Sequence, residues 1–231
     1  VIDRAMEAFP GTGFIQAYGM TELSPVATIL PPFYHTAEGR KTGKMRSAGR
    51  TALCSRLRIV DAEGADVATG TVGEVIVQGA NVMKGYWNKP AESAAAVRDG
   101  WMHTGDGGYL DEDGFVFIMD RMKDMIISGG ENVYSSEVEN AVTQHPAVAA
   151  CAVIGIPDEK WGELVHAVVV LKANAQVSEA ELVEHCKQKI AGYKCPRSVA
   201  FVAALPISGA GKILKKDLRE PFWKNQKRKI N

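Results

Sequence analysis

Two runs of β-branched and other apolar residues constrain the fold of this 231-residue chain more than any other feature. Residues 148–156 (VAACAVIGI) and 164–171 (LVHAVVVL) contain no Asp, Glu, Lys or Arg. The longest run without charged residues, 140–157, contains Gln, His and two prolines, so no stretch offers the roughly 20 consecutive apolar residues that a membrane-spanning helix needs. The two runs therefore predict buried strands in the second half.

Helix-start signals accompany these strands. Ser136 and Glu139, and again Ser178 and Glu181, have the spacing of a capping box. In that motif the hydroxyl and the carboxylate each accept a hydrogen bond from a backbone N–H at the helix end. A further helix is expected near the C-terminus, ending in the basic residues 227–229. The second half is thus predicted to be a compact α+β module.

The first half shows mainly the patterns of strands and turns. Short apolar and β-branched runs occur at 57–60, 74–78 and 115–119, each bounded by Gly or Asp. Residues 111–114 (DEDG) are a strong hairpin-turn signal. A short helix is expected from Pro90, because proline suits the first turn of a helix. This half is therefore predicted to be β-rich.

The formal charge is zero overall but changes sign along the chain. Residues 1–120 carry 11 basic and 15 acidic residues, a net −4, and residues 121–231 carry 16 and 12, a net +4. The change coincides with the change in pattern, so we predict two domains joined by a hinge near residues 120–123. The predicted class is α/β in the broad sense, a β-rich domain followed by a mixed α+β one.

Composition excludes several classes of protein. With 46% apolar and 23% charged residues, the chain is not predicted to be disordered. No secretory signal is visible, and the four cysteines contain no CxxC pair, so we expect free thiols in a reducing cytoplasm. The basic C-terminal residues 224–229 are compatible with a solvated helix end, with attraction of phosphate groups or with peripheral contact with a membrane surface, but they lack the interleaved aromatic residues of nucleic-acid-binding segments. We expect no nucleic-acid partner and no integral membrane segment, and the oligomeric state is not specified.

Several polar, glycine-bearing segments lie between the predicted strands and helices. The main ones are 18–22 (YGMTE), 101–106 (WMHTGD), 120–132 (DRMKDMIISGGEN) and 209–212 (GAGK), and the shorter segments 85–90 (GYWNKP), 155–158 (GIPD) and 193–196 (YKCP) lie between them. Any one alone is compatible with an ordinary turn, since Gly allows positive φ and Asp or Thr caps backbone N–H groups. In this order and combination they resemble the adenylate-forming superfamily, which includes acyl-CoA synthetases, firefly luciferases and the adenylation domains of peptide synthetases. Their wording is most similar to fatty-acid–CoA ligases, and we expect a long-chain fatty acid as the substrate.

The resemblance implies a two-step reaction and a division of labour within the chain. A carboxylate attacks the α-phosphate of ATP to give an acyl adenylate and pyrophosphate, and the thiol of coenzyme A then displaces AMP. Residues 1–120 would be the end of the large adenylation domain, and residues 121–231 the mobile small domain. The upstream phosphate-binding loop of the family does not occur here, so we expect a C-terminal fragment that is inactive alone. A GxxxxGK[S/T] motif is also missing, which excludes a P-loop NTPase.

The resemblance also implies roles for four residues of the first half. Tyr18 would lie against the adenine, and Thr21 would donate a hydrogen bond to the α-phosphate. Glu22 would contact Mg²⁺, an ion that prefers oxygen ligands. Asp106 would accept hydrogen bonds from both ribose hydroxyls, for which an ionised carboxylate has the lone pairs. These residues form the implied binding site for ATP and AMP.

Five residues of the second half receive roles in the same way. Arg121 would reach the ribose or a phosphate, and Lys123 would be the hinge residue at which the small domain rotates. Lys212 would bridge the substrate carboxylate and the α-phosphate during adenylation. Gly129 and Gly130 would line the pantetheine tunnel for coenzyme A, because small residues allow close approach of the backbone.

Other interpretations stay open. The acid could be of medium chain length or aromatic, because most of the acyl pocket is expected from residues outside this chain. From a different class, the chain could be a catalytically silent nucleotide-binding module that keeps Asp106 and Arg121. The sequence departs from the family pattern at Ala210, where many relatives have Thr, and at Ile127, where luciferase-like members have Lys. His103 is expected to be a neighbour of the site and not a catalyst.

Overall fold

The computed structural model describes residues 2–209 and 211–224. Its backbone divides into two compact units, one ending at Met119 and the other starting at Asp120. The division falls where the sequence changes its pattern and the sign of its charge. The first unit contains two sheets and the second contains one, and each unit has its own hydrophobic core. The predicted mixed α and β class is confirmed.

The first unit combines short helices with two sheets. Its helices are α1 (Ile2–Ala8), α2 (Ala37–Lys41) and α3 (Pro90–Ala96), and its strands are β1 (Gln16–Tyr18), β2 (Thr28–Leu30), β3 (Arg50–Thr51), β4 (Ser55–Val60), β5 (Gly73–Gly79), β6 (Val97–Arg98), β7 (Trp101–Leu110) and β8 (Val116–Arg121). One sheet has the order β1-β2-β3, and the other has the order β4-β5-β7-β6 with β8 paired to β7. The predicted strands and the helix from Pro90 are confirmed.

The core of the first unit packs against the larger sheet. Val75 and Val77 of β5 and Met102 of β7 are almost completely buried. Leu23 joins the same cluster and is also fully buried. Full burial of one leucine side chain stabilises the folded state by about 1.5–3 kcal/mol. Leu23 thereby anchors the short loop that carries the neighbouring candidate residues.

The hairpin turn predicted between β7 and β8 is confirmed. Asp111 Oδ1 accepts hydrogen bonds from the backbone N–H groups of Asp113 and Phe115, at 3.0 and 2.9 Å. Asp111 also forms an ion pair with Lys44. Burial by itself would raise the pKa of Asp111, but Lys44 and the two N–H donors hold it below its usual range. The carboxylate therefore stays charged and closes the turn.

The second unit is an α+β module around one sheet. Its helices are α4 (Ser135–Thr143), α5 (Glu179–Lys187) and α6 (Lys215–Trp223), and its strands are β9 (Ile126–Ser128), β10 (Glu131–Val133), β11 (Val148–Asp158), β12 (Gly162–Leu171) and β13 (Ser198–Phe201). The sheet order is β10-β9-β12-β11, and β13 pairs with β12 in parallel.

The long strands β11 and β12 form the antiparallel hairpin at the centre of this unit. Val148 lies opposite Leu171 at one end, and Asp158 lies opposite Gly162 at the other. Inward-facing residues of both strands are buried with apolar residues of α4 and α5, including Val153, Val169, Val138, Leu182 and Cys186. The prediction of two buried strands is thus confirmed.

The two predicted capping boxes have different outcomes. Ser178 Oγ accepts a hydrogen bond from the N–H of Glu181, and Glu181 Oε2 accepts one from the N–H of Ser178, so this box is confirmed. The box at Ser136 is wrong. Helix α4 begins one residue earlier, and the N–H of Ser136 donates to Asp120 Oδ2 at 3.1 Å. Asp120, rather than Glu139, accepts the hydrogen bond of this N–H. The Glu139 carboxylate instead faces the interior, where it contacts the N–H of Val153 and Lys215.

All four cysteines are unpaired, with Cys54 exposed and the other three buried. In the part of the chain that the structure describes, no helix combines the length and the apolar character that a membrane crossing requires. Ala210 and the basic residues 227–229, on which two of the sequence interpretations rest, lie outside the described residues.

Candidate functional site

Tyr18 and Asp106 are brought into direct contact in the first unit. Tyr18 is the last residue of β1, and Asp106 lies in the middle of β7, 88 positions later. The Tyr18 hydroxyl donates a hydrogen bond of 2.6 Å to Asp106 Oδ2. Both side chains are half-buried. The contact places an aromatic ring beside a carboxylate, a pair that suits the base and ribose of a nucleotide.

The strand that carries Asp106 is distorted by a bulge. Gly105 has a φ of +69°, and the pairing of β5 with β7 changes register between Glu74 and Ile76. Glu74 Oε1 accepts a hydrogen bond from the N–H of Gly105 at 3.0 Å, and Glu74 Oε2 lies 2.8 Å from His103 Nδ1. The alternative that this segment is an ordinary turn is therefore wrong.

Glu74 is thus a site residue that the sequence analysis missed. In the sequence Glu74 is recognisable only as the first residue of the apolar run 74–78. No sequence motif links it to residues 103–105. The pairing of β5 with β7 brings it there. His103 is its partner, consistent with the expectation that His103 is a neighbour of the site.

The loop after β1 holds Thr21 and Glu22 in a short 3₁₀ turn, Thr21–Leu23. A Cβ atom on Gly19 would lie 1.9 Å from the carbonyl oxygen of Pro25, so only glycine fits where the loop returns on itself. Asn81 Nδ2 donates to the carbonyl oxygens of Leu23 and Val26, at 3.0 and 3.1 Å. The backbone of the loop is therefore held by the Asn81 side chain, while the Thr21 side chain faces solvent.

Glu22 has a partner that its neighbours in sequence do not supply. The hydroxyl of Tyr86 donates a hydrogen bond of 2.8 Å to Glu22 Oε1. This bond, with a smaller contribution from burial, raises the pKa of Tyr86, so the phenol keeps its proton. Tyr86 lies in the segment 85–90 that contributed to the family resemblance, but its contact with Glu22 could not be read from that motif.

The donor set at Glu22 fits a magnesium ion that is shared with a phosphate ligand. Mg²⁺ is commonly held by one or two carboxylates together with substrate phosphates and water. Among residues 2–209 and 211–224, no three His, Cys, Asp or Glu side chains cluster as an all-protein metal site would require. A single carboxylate oriented by a phenol meets the first description and not the second.

A cavity of about 340 Å³ lies against Tyr18 in the first unit. Its walls include Gln16, Tyr18 and Gly19 from the β1 region, together with Arg46 and Ser47. The volume is at the lower end of the range for small-molecule sites, about 300–1,000 Å³. The first unit therefore offers a concave surface directly at Tyr18.

Arg121 and Lys123 lie at the start of the second unit, where β8 ends and the chain turns toward β9. Arg121 ends β8, and Lys123 is in the 3₁₀ turn Met122–Asp124 that follows. Both side chains are exposed. The N–H of Arg121 donates to Asp120 Oδ1 at 2.8 Å, which orients the start of the segment.

Gly129 and Gly130 form the turn between β9 and β10, both with positive φ, +64° and +85°. A Cβ on Gly129 would lie 2.7 Å from Cε3 of Trp161, whereas a Cβ on Gly130 would meet nothing within 4 Å. The guanidinium of Arg197 and the ammonium of Lys160 lie 4.2 and 5.0 Å from the centre of the Trp161 ring. A flat aromatic surface with two cations therefore adjoins the glycine turn.

Lys212 is on a small hairpin that precedes α6. Ile207 and Ile213 form an antiparallel bridge. The N–H of Ser208 donates to the carbonyl of Lys212 at 2.8 Å, and Ser208 Oγ accepts from the N–H of Lys212 at 3.1 Å. The Lys212 side chain is exposed. The hairpin fixes the lysine backbone and leaves its ammonium accessible to a ligand.

Comparison with known proteins agrees with this arrangement. The family model of the AMP-binding enzymes matches residues 1–87, and that of the AMP-binding enzyme C-terminal domain matches residues 137–212. Feruloyl-CoA synthase of Amycolatopsis sp is 46% identical over 212 residues, covering 92% of this chain and 42% of that enzyme. The medium/long-chain-fatty-acid–CoA ligase FadD8 of Mycobacterium tuberculosis is 43% identical over 227 residues, covering 95% of this chain and 39% of the ligase.

A solved structure gives the same result. The o-succinylbenzoate CoA synthetase MenE of Bacillus subtilis, in complex with its acyl-adenylate intermediate, matches with a TM-score of 0.84 and 36% identity over 100% of this chain and 44% of MenE. MenE has also been solved with ATP and a magnesium ion. This chain spans less than half the length of these relatives. Two family models in order along the sequence, and a structural match over the whole chain, show that it belongs to the adenylate-forming superfamily of AMP-binding enzymes.

Proposed function

We propose that this chain provides the C-terminal part of an AMP-forming acid–CoA ligase whose acid is a long-chain fatty acid. The enzyme would convert the acid and ATP to an acyl adenylate and pyrophosphate, and then convert the adenylate and coenzyme A to acyl-CoA and AMP. The observation that carries this proposal is the contact between Tyr18 and Asp106 beside a cavity. Because the chain spans 42% of a relative such as feruloyl-CoA synthase, we assign the activity to a longer protein that contains it.

The first unit is proposed to bind the nucleotide. The Tyr18 ring lies against the adenine, and the Asp106 carboxylate, which accepts hydrogen bonds only, binds the ribose hydroxyls. Thr21 presents its exposed hydroxyl to the α-phosphate. Glu22, oriented by Tyr86, holds a magnesium ion. When bound, the ion neutralises the negative charge of the phosphates.

The second unit is proposed to act as the mobile domain, with Lys123 as the hinge residue. In one orientation Lys212 would approach the substrate carboxylate and the α-phosphate, two anions that repel one another. A compact ammonium on a flexible stem can lie between them, stabilise the charge that develops, and leave when the domain rotates. Arg121 would contact the ribose or a phosphate from the hinge side.

In the other orientation the same unit would accept coenzyme A. The backbone of Gly129 and Gly130 allows the thin pantetheine arm to pass close by. Arg197 and Lys160, beside the Trp161 ring, supply positive charge next to that passage, which suits the phosphates of coenzyme A. The thiol then attacks the acyl carbonyl of the adenylate and AMP leaves. We propose the cytoplasm as the location of this reaction.

Two other candidates remain in competition with a fatty-acid ligase. Similarity to feruloyl-CoA synthase favours an aromatic acid, and FadD8 includes medium-chain acids in its name. From another class, a catalytically silent module would bind ATP or AMP through Tyr18 and Asp106 without activating an acid. The candidates differ in which acyl-CoA, if any, accumulates.

The test is a mass-spectrometric assay for acyl-CoA with ATP, Mg²⁺, coenzyme A and an acid panel. The panel covers fatty acids of graded length together with ferulic and o-succinylbenzoic acids. The longer protein is expected to form long-chain acyl-CoA, and this chain alone to form none. Preferential turnover of an aromatic acid would reassign the substrate, and no product with any acid would favour the silent module.

Lys212→Ala in the longer protein tests the assignment of the catalytic lysine. It is expected to lower acid-dependent pyrophosphate exchange by about a hundredfold or more, while thioester formation from supplied acyl adenylate persists. Lys216→Ala is the matched control, because Lys216 is an exposed lysine on the adjoining helix α6. Undiminished exchange in Lys212→Ala would contradict the proposed role.

A further inference from the structure

Helix α6 follows the Lys212 hairpin directly and points two cationic side chains back into its own unit. Lys215 and Arg219 are four residues apart, so they lie on the same face of the helix. Each side chain is only 15% exposed, in contrast to the exposed Lys216 between them. Long cationic side chains are seldom so buried unless they are paired. The contacts of both side chains lead to residues 120–124, which comprise the end of β8 and the turn that follows it.

Arg219 holds the second half of that segment. Its Nη1 donates to the carbonyl oxygen of Lys123, and its Nη2 donates to Asp124 Oδ1, both at 2.8 Å. Asp124 is also largely buried, with 12% of its side chain exposed. A planar guanidinium donates to two acceptors at fixed geometry, which an ammonium cannot reproduce. The peptide group after Lys123 is therefore fixed to α6.

Lys215 is linked to Asp120, at the start of this segment, through the side chain of Ser135. Its Nζ donates to Ser135 Oγ at 2.6 Å and forms an ion pair of 2.7 Å with Glu139. Ser135, which is fully buried, donates in turn to Asp120 Oδ2 at 2.5 Å. The same carboxylate oxygen accepts the N–H of Ser136. Asp120 is thus linked to α6 by two hydrogen bonds in series.

We propose that the Arg219 contacts and the Ser135–Asp120 contact respond differently to the domain rotation, an inference that rests on the proposed function. The Arg219 contacts with Lys123 and Asp124 persist in both orientations and keep the far side of the hinge with the Lys212 hairpin. The contact of Asp120 with Ser135 is a latch that closes in one orientation and opens in the other. Lys215 and Arg219 are positioning residues for Lys212 and not catalytic residues.

The reason is the position of the contacts along the chain. Rotation about the φ and ψ angles of Lys123 moves everything before its Cα relative to everything after it. The Lys123 carbonyl and Asp124 come after that Cα, so their bonds to Arg219 are not broken by the rotation. Asp120 comes before it, while Ser135 comes after it, so their bond cannot survive a large rotation.

Reversible crosslinking in the longer protein tests the latch. One variant carries Asp120→Cys and Ser135→Cys, a second carries Asp124→Cys and Arg219→Cys, and both carry Cys54→Ser to remove the exposed thiol. A short bifunctional thiol reagent closes each pair, and reductant releases it. Linking the first pair should slow one half-reaction by about tenfold more than the other, reversibly. Linking the second pair should leave the ratio of the two half-reactions unchanged.

Full retention of both half-reactions with the first pair linked, or an unequal effect of the second link, would overturn the proposal. A conservative variant adds an independent readout. Arg219→Lys keeps the charge but not the two-fold donation, so it should slow both half-reactions, whereas Lys215→Arg should retain both more fully than Lys215→Met. Equal behaviour of Lys215→Arg and Lys215→Met would refute a positioning role for Lys215.

Amide hydrogen exchange separates this proposal from the assignment of function. The N–H of Ser136 is protected by Asp120, so Lys215→Met should accelerate its exchange by about tenfold relative to the Lys216→Met control. This measurement needs no substrate. If no acid is activated but the exchange responds as expected, the ligase assignment fails and the coupling of α6 to Asp120 stands. If exchange is unchanged, the coupling fails whatever the enzyme does.

Discussion

The hydroxyl of Tyr18 donates a hydrogen bond of 2.6 Å to Asp106, and this contact joins two motifs that are 88 positions apart. It fixes the direction of the half-buried Asp106 carboxylate, and Tyr18 itself is part of the wall of a cavity. A hydrogen bond to a charged group contributes about 1.5–3 kcal/mol. The Tyr18 side chain can therefore orient the Asp106 carboxylate, for which ribose binding is proposed, and still present its ring to the proposed position of the base.

Tyr18→Phe should keep the ring and lose the positioning of Asp106. In the longer protein we expect the KM for ATP to rise about fivefold to tenfold, because misdirected carboxylate oxygens bind the ribose less well. The measurement is pyrophosphate exchange as a function of ATP concentration. Tyr109→Phe is the matched control, since Tyr109 lies on β7, the strand that carries Asp106, and its ring stacks on Phe117. An equal rise in both variants would contradict the role given to Tyr18.

Gly129→Ala and Gly130→Ala form a pair that separates steric from backbone effects. Both residues have positive φ, so alanine costs about 1–2 kcal/mol at either position. Only at Gly129 does the added Cβ meet Trp161, at 2.7 Å, and such overpacking costs about 1–3 kcal/mol more. Denaturant unfolding should therefore show a larger loss of stability for Gly129→Ala. Equal losses would mean that the Trp161 contact has no energetic weight.

Lys123→Pro should restrict the proposed hinge. Proline fixes φ, so the backbone can no longer take up the change that domain rotation requires. In the longer protein we expect thioester formation to fall about tenfold more than adenylation, measured as two separate half-reactions. The comparison with Met122→Pro, one residue earlier, tests whether the position matters. Equal loss of both half-reactions in Lys123→Pro would contradict the assignment of the hinge.

The four thiols should differ strongly in reactivity. Burial raises the pKa of Cys151 to about 12 and that of Cys186 to about 11, and it also raises the pKa of Cys195. Since the thiolate is the reactive form, these three should resist alkylation at neutral pH. Cys54 is exposed and should react alone in the folded chain. Peptide mapping after brief iodoacetamide treatment checks this, and Cys54→Ser should abolish labelling until the chain is unfolded.

Secondary structure and the core of the second unit followed from local patterns. The runs at 148–156 and 164–171 are apolar enough to be recognised as buried strands without knowledge of their partners. The capping box at Ser178 was predictable because both of its partners lie within one helical turn. The same reasoning failed at Ser136, where Asp120 supplies the cap. A local motif is a safe prediction only while no distant side chain competes for the same donor.

The candidate site shows the same division between local and distant contacts. Motif wording was sufficient to propose Thr21, Glu22 and Asp106. It did not reveal that Glu74 braces the bulge beside Asp106 or that Tyr86 orients Glu22. These contacts depend on the register between β5 and β7 and on the path of the loop before α3, neither of which has a fixed sequence spacing.

The sequence by itself determined the family, the succession of strands and helices, and the set of polar side chains proposed for the candidate site. These properties depend on residue types and short spacings, which can be read along one dimension. Only the tertiary structure decided which of these groups touch, as Tyr18 touches Asp106 and Arg219 touches the carbonyl of Lys123. The physical reason is that hydrogen bonds require partners within about 3 Å, and chain packing alone brings residues so far apart in sequence to that distance.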